Sequence, residues 1–204
     1  MTTDQPGLRE RKKAATREAL SWAALRLAVE QGLENVRVED IAAAAGVSPR
    51  TYNNYFSSKA EAIVSRHQER VRKAAAALRE RPAAEPLWEA LTHALLEPFG
   101  PVVEQPDPQW TAAVRLLLRE PVLQAELWRG GAEAEAGLAA AVAARTGTDA
   151  ARDLYPKLVA ATAMAAVKAA NDQYLNADPP VPFQPLFTTA LQLLAAGLPD
   201  PSAR

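Results

Sequence analysis

The 204-residue chain contains no cysteine, which excludes disulfides, thiolate metal sites and thiol nucleophiles. It has two histidines, His67 and His93, too far apart in sequence to suggest a metal cluster. The longest uncharged run, residues 179 to 199, is broken by prolines and glutamines and is no membrane span. The opening MTTDQPGLRERKK has no apolar core of the kind a secretory signal needs. There is no G-x-S-x-G, no G-x-G-x-x-G and no Walker-type glycine loop. Carboxylate pairs such as Glu133 and Glu135 lie on alanine-rich stretches without apolar shielding, so they read as surface charge rather than a tuned acid/base pair. Catalysis finds no support here. A soluble, cytoplasmic protein without a cofactor or metal is expected.

What is present is alanine. Hydrophobic residues make up 49% of the chain, much of that alanine, and β-branched residues are sparse, which favours helix throughout. Residues 1 to 81 carry 15 Lys+Arg against 10 Asp+Glu, or +5. The remainder carries 8 against 14, or −6, and the two sum to the chain's −1. The split suggests two domains with different partners, the basic one suited to a polyanion.

The stretch VEDIAAAAGVSPRTYNNYFSSK, residues 38 to 59, reads as two short helices around a tight turn and the opening of a third. Glu39 and Asp40 suit a helix start, and the alanines propagate it. Gly46 can take the left-handed backbone that ends a helix, with Val47 plugging the turn. Ser48-Pro49 reopens a helix, serine as N-cap and proline at the first helical position. That is the helix-turn-helix pattern. The second helix, expected over 49 to 55, carries Arg50, Thr51, Asn53, Asn54 and Tyr55, which offer donors and acceptors to phosphates and base edges. Tyr52 and Phe56, four apart, form its inward stripe. Ser58-Lys59-Ala60-Glu61 is a capping box opening the next helix. Taken alone, the segment also fits a glycine-terminated hairpin of an ordinary bundle.

The flanks add register. Thr16-Arg17-Glu18, Leu27, Gly32, Val38-x-Asp40-Ile41-Ala42, Gly46-Val47-Ser48 and Tyr55-Phe56-x-x-Lys59 stand at the spacing of the tetracycline-repressor (TetR) family, which residues 10 to 63 resemble. Arg50-Thr51 and Asn54-Tyr55-Phe56 resemble a branch associated with acyl-CoA-like ligands. The resemblance implies an all-α, homodimeric transcriptional regulator. A three-helix helix-turn-helix head, residues 1 to 57, would stand on a helical ligand-binding and dimerisation body, 58 to 204. It further implies a double-stranded DNA operator as partner, a small-molecule effector that releases a repressor, and DNA contacts from Arg37, Ser48, Arg50, Thr51, Asn53, Asn54, Tyr55 and Lys59. Two positions depart from the family: Arg37, where threonine is usual and arginine cannot cap, and Asn53, where tyrosine is usual. The first costs some stability at the helix start, about 1 kcal/mol, while its longer reach still suits a phosphate; the second changes a phosphate or base contact, so an operator sequence does not carry over.

Elsewhere, a first helix is expected over 8 to 31, with Leu20, Ala24, Leu27 and Ala28 as its stripe, widened by Trp22, Leu25 and Val29. Arg9, Arg11, Lys12, Lys13 and Arg17 at its start suit a phosphate- or groove-binding arm, or equally a solubilising N-terminus. A long helix over 58 to 81 carries His67, read as solvated. Further helices are expected near 85 to 97, 107 to 120, 121 to 145, 150 to 176 and 184 to 197. The prolines between 98 and 108 form a rigid link, and Gly130-Gly131 marks a bend or a tolerated surface flaw.

The last two helices are the expected subunit interface. Leu154, Leu158, Ala161, Ala165 and Ala169 form one stripe, and the final helix carries no charge; burial between two subunits, or inside one, would cover it. Trp88, Phe99, Trp110, Trp128, Met164 and Tyr174, with Arg115, Asn171 and Gln173, are candidates to line a small-molecule site, for an acyl-CoA-like compound by resemblance. Core packing is the competing reading for the aromatics, and a solvated ridge with Arg119 for Arg115. Two other classes stay open: an all-α enzyme with a helix-turn-helix-like segment, and a protein-interaction module.

Overall fold

A computed structural model of the chain describes residues 7–99 and 107–199. These form α1 (Leu8–Gln31), α2 (Val38–Ala44), α3 (Pro49–Asn53), α4 (Lys59–Glu80), α5 (Leu87–Leu96), a single 3-10 turn at Glu97–Phe99, α6 (Pro108–Leu117), α7 (Pro121–Thr146), α8 (Leu154–Asn176) and α9 (Phe183–Ala195). The described residues contain no strand, and the all-helical expectation holds. Most of the proline link expected between 98 and 108 lies outside the described residues.

The chain divides into two compact units, and the division falls within α4. The first comprises residues up to 66 together with 116–127; the second comprises 67–115 and 128 onward. The core of the first unit is built from Leu20, Ala24 and Ala28 of α1, Ile41 of α2, Tyr52 of α3, Phe56, and Ala60, Ile63 and Val64 of α4. Leu117 and Leu123, from the end of α6 and the start of α7, complete it. Nothing in the sequence signalled that this later segment would join the first core. Trp22 departs from expectation, being 46% exposed, with the Arg66 guanidinium over its ring at 3.3 Å. It does not widen the core stripe.

In the second unit α4, α5, α7, α8 and α9 share one core, in which Leu78, Leu91, Leu138, Val142, Phe187 and Leu191 interlock with many alanines. Alanine lets helix backbones approach closely, as Ala74 and Ala75 of α4 do in this core. Gly130 does not break α7, which is helical throughout. The side chain of Gln68 on α4 lies where a Cβ at Gly130 would be, 1.6 Å from its Nε2. Close approach explains that glycine.

The segment between α4 and α5 is held by two arginines. Arg145 donates to the carbonyls of Arg81 at 3.2 Å, Pro82 at 2.6 Å and Glu85 at 2.5 Å, covering the orphan acceptors past α4. Arg81 in turn grips Glu85 with Nε on Oε2 at 2.7 Å and NH2 on Oε1, and His93 Nδ1 lies 2.9 Å from the same Oε1. The Arg81 hydrogen bonds hold the Glu85 carboxyl down to about 2, with a smaller contribution from His93. His67 is not the solvated residue expected. It is half-buried, and desolvation, then the Arg70 charge, lower its pKa and favour the neutral ring.

Candidate nucleic-acid interface

The turn between α2 and α3 closes as the residues predict. Gly46 sits at φ +70°, its N–H bonds to the Ala43 carbonyl at 3.0 Å, and the Val47 N–H reaches back to Ala42 at 2.9 Å. That pair of bonds is the Schellman arrangement, and Val47 packs against the first core. Ser48 then caps α3, its Oγ accepting from the Thr51 N–H at 3.1 Å. Arg37 occupies the N-cap of α2 without capping it, since a guanidinium has no acceptor. Asp40 compensates by accepting from the Arg37 N–H at 3.3 Å.

α3 is shorter than expected, ending at Asn53, with Asn54 as its C-cap and Tyr55 in a turn. Beyond the turn, Ser58 caps α4, its Oγ accepting from the Glu61 N–H at 3.0 Å. Glu61 closes the capping box one residue beyond expectation, accepting at 2.8 Å from both the N–H and the Oγ of Ser57.

The inner side of α3 is tied down. Tyr52 is 1% exposed, its ring packs 5.8 Å from Phe56, and its hydroxyl donates to the Ser58 carbonyl at 2.9 Å. Burial, aided by the Glu61 charge, raises its pKa to about 12, so it stays a donor. The outer side is open. Arg50, Asn53 and Asn54 recur at i, i+3 and i+4 and are exposed, and their side chains make no internal hydrogen bond among the described residues. Thr51 is half-buried, with its hydroxyl 2.9 Å from that of Ser48.

Two cations expected at the nucleic-acid face are occupied inside the unit. Lys59 is half-buried, and its Nζ donates to the Leu33 carbonyl at 2.8 Å and the Val36 carbonyl at 2.7 Å, tying the α1–α2 connector to α4. Two of its three N–H groups are therefore unavailable to a phosphate. Arg17 is half-buried and its NH1 donates to the Tyr55 carbonyl at 2.9 Å, whereas Arg9, Arg11, Lys12 and Lys13 are exposed along the first turns of α1. Sequence spacing could not show either engagement, because both partners are main-chain carbonyls far along the chain.

The expected ligand residues stand on three helices, α6, α7 and α8. Trp128 is 82% exposed and so lines no enclosed site in its unit. Trp110 and Arg115 are half-buried on α6. Asn171 and Tyr174 are half-buried one turn apart on α8, Tyr174 packing edge-on against Phe183 at 5.9 Å. Phe183 also stacks on Phe187 at 5.6 Å and meets Phe99 in a tilted contact at 4.7 Å, and the Arg70 guanidinium lies 4.5 Å above Phe99. Trp88 and Met164 pack against the second core, as core packing would have it. A cleft of about 310 Å³ is lined by Leu33, Glu34, Ser58, Lys59, Ala60, Glu120 and Val122 of the first unit, none of them an expected ligand residue. No group of three His, Asp or Glu among the described residues could hold a metal ion, and none of the described helices is long and apolar enough to cross a membrane.

A Schellman-closed turn, a serine-capped second helix and an open polar face define a helix-turn-helix unit of the DNA-binding kind, carried with a larger helical unit. Residues 22–63 match the family model of bacterial regulatory proteins of the tetR family, and residues 85–199 match the MftR C-terminal domain. The HTH-type transcriptional regulator TcmR of Streptomyces glaucescens is 37% identical over 183 residues, covering 87% of this chain and 81% of that protein. The chain belongs to the TetR family. Its fold is similar to that of the fatty acid degradation regulator FadR of Bacillus halodurans, with TM-score 0.57, 20% identity and coverage of 97% and 98% of the two chains. It is also similar to Thermus thermophilus FadR, a transcriptional repressor solved in complex with lauroyl-CoA, with TM-score 0.53, 19% identity and coverage of 90% and 95%. The protein is a DNA-binding transcriptional regulator and not an enzyme.

Proposed function

We propose that the protein is a ligand-released repressor that binds a palindromic operator as a homodimer through α8 and α9. The observation that carries the DNA-reading assignment is the unengaged outward face of α3. In this reading Arg50, Asn53 and Asn54 address base edges in the major groove, while Arg37, Ser48, Thr51 and Tyr55 meet phosphates. Lys59 supports the head from within and has at most one N–H left for DNA. The functional division is a head of residues 1 to 57 and a body of residues 58 to 204, with α4 passing from one to the other.

Dimerisation is supported by a stripe that the fold leaves uncovered. On α8, Val159, Ala163, Ala166, Val167 and Ala170 are buried, whereas Leu154 is 74% and Leu158 53% exposed. Leu193 of the uncharged α9 is 45% exposed. An isologous contact would bury these side chains twice over. Two heads then require half-sites about one DNA turn apart, roughly 34 Å, or a multiple of it.

The effector is a small molecule held in the body and selective for the form that does not fit the operator. A hundredfold release requires about 2.7 kcal/mol of differential affinity. An acyl-CoA-like compound fits the aromatic cluster of Phe99, Tyr174, Phe183 and Phe187 with the Arg70 cation beside it. Lauroyl-CoA, present in the Thermus relative, is the first probe; it should raise the melting temperature and release the operator, and no change in either at saturation rejects that class. The site of action is the cytoplasm, where the operator is. Selection of bound sequences from a random duplex pool tests the whole reading. Two inverted half-sites support it; an unsymmetric site or no enrichment overturns it.

A further inference from the structure

Arg17 lies in the basic run at the start of α1, yet its environment differs from that of its neighbours. Its NH1 donates to the carbonyl of Tyr55 at 2.9 Å, across 38 residues of chain. Its guanidinium carbon stands 4.3 Å from the centre of the Phe56 ring. Its NH2 is 3.7 Å from Glu61 Oε1, and the other oxygen of that carboxylate holds the N–H and hydroxyl of Ser57. One side chain thus touches the three residues that lead out of α3, directly or through Glu61.

From this geometry we infer that Arg17 is a positioning residue for base reading: it fixes the pose of α3 on the head and does not serve as a phosphate contact. The inference rests on α3 being the base-reading helix. A helix of five residues has no stability of its own, so its pose is set by what grips it. Tyr52 and Phe56 anchor its inner side by burial, and Arg17 fixes the exit of the chain at Tyr55. Base contacts depend on position and angle, because bidentate hydrogen bonds to a base edge tolerate little displacement. Phosphate contacts made by flexible lysines and arginines are more forgiving. Weakening the Arg17 clasp should therefore erode sequence discrimination while general affinity for DNA persists. To reach a phosphate, the side chain would have to abandon the Tyr55 carbonyl, the Phe56 ring and Glu61 together.

The test uses the full-length protein with Arg17→Met and Arg17→Lys, an operator duplex recovered by selection and a scrambled duplex of equal composition. Affinities are measured for both duplexes across a salt series, and folding is followed by circular dichroism. Methionine removes the charge and the fork. Lysine keeps the charge but cannot hold the carbonyl, the ring and the carboxylate at once. The expected result in both variants is a fall of about tenfold or more in the operator-to-scrambled ratio, the scale of one lost bidentate base contact. Scrambled-duplex affinity and the slope of log K against log salt should stay as in the wild type. A phosphate role predicts instead an equal loss on both duplexes in Arg17→Met, a slope shallower by about 0.9, and near-normal binding in Arg17→Lys. That outcome overturns the inference, as does an unchanged ratio in Arg17→Lys, or loss of the folded head in both variants. A wild-type protein that does not discriminate the two duplexes overturns the base-reading assignment itself, and this inference with it.

Discussion

The two compact units present opposite outer faces. In the first, several polar side chains are turned inward, where Arg17, Ser21, Tyr52 and Lys59 all donate to main-chain carbonyls. What remains outside on α3 is a row of unengaged polar groups. In the second, the interior is alanine and leucine, and the conspicuous outer residues include Leu154, Tyr155, Leu158 and Leu193. An open polar face on a clamped helix suits a polar, charged partner that must be read in register. An open apolar stripe on long helices suits a partner that offers the same kind of stripe, which a second copy of the chain does. Under the proposed reading, the contrast lets one protein serve two recognition tasks without either surface competing for the other's partner.

The largest expected effect attacks the apolar face. Leu158→Glu would place a charge in each half of a two-fold contact, costing about 3 kcal/mol or more, or roughly a hundredfold in dimer dissociation. Sedimentation should show monomers at concentrations where the wild type is dimeric, and operator affinity should fall with it. A variant that stays dimeric removes α8 from the interface. Next comes the core of the first unit. Leu123, fully buried there, should cost about 2 to 5 kcal/mol as Leu123→Ala, read as a lower denaturation midpoint. Because Leu123 comes from the later segment, hydrogen exchange should rise in the peptide spanning α2 and α3; unchanged protection there would dissociate the segment from the head.

A smaller effect separates outward from inward groups on the polar side. Arg50→Ala should cost about 1 to 3 kcal/mol on the operator and relax the base preference at one position of each half-site. Lys59→Ala should act through stability, since two carbonyls lose their donor, at about 1 to 3 kcal/mol in a melt. If Lys59→Ala instead leaves the melt unchanged and flattens the salt dependence, its role is at a phosphate after all. The gentlest probe is pH. Glu85 has its pKa lowered from 4.5 to about 2 in the folded protein, so its contribution is present above the unfolded value and fades as pH falls from 4.5 to about 2. Glu85→Gln should flatten the acid limb of the stability profile in that window. A profile identical to the wild type would show that the clasp with Arg81 contributes nothing.

Much of the head was legible because its signals are local. Gly46, Ser48-Pro49 and the Ser58 cap each act within four residues, so spacing alone located α2, α3 and the start of α4. The inward pair Tyr52 and Phe56 followed from helical periodicity. α3 ends two residues earlier than expected, at Asn53, because Asn54 and Tyr55 are weak helix formers and fall in the turn before α4. Trp128 shows the weaker side of the same method: an aromatic at helical spacing can face solvent as readily as a pocket, and no local rule distinguishes them.

The sequence by itself determined the all-helical class and the helix-turn-helix, since periodicity and capping are properties of neighbouring residues. Only the tertiary structure decided that Leu117 and Leu123 complete the first core, that Gly130 makes room for Gln68, and that Arg17 and Lys59 turn inward. Those outcomes depend on which carbonyls and cavities distant segments bring within reach, and a cation bonds whichever acceptor lies nearest in space rather than in sequence.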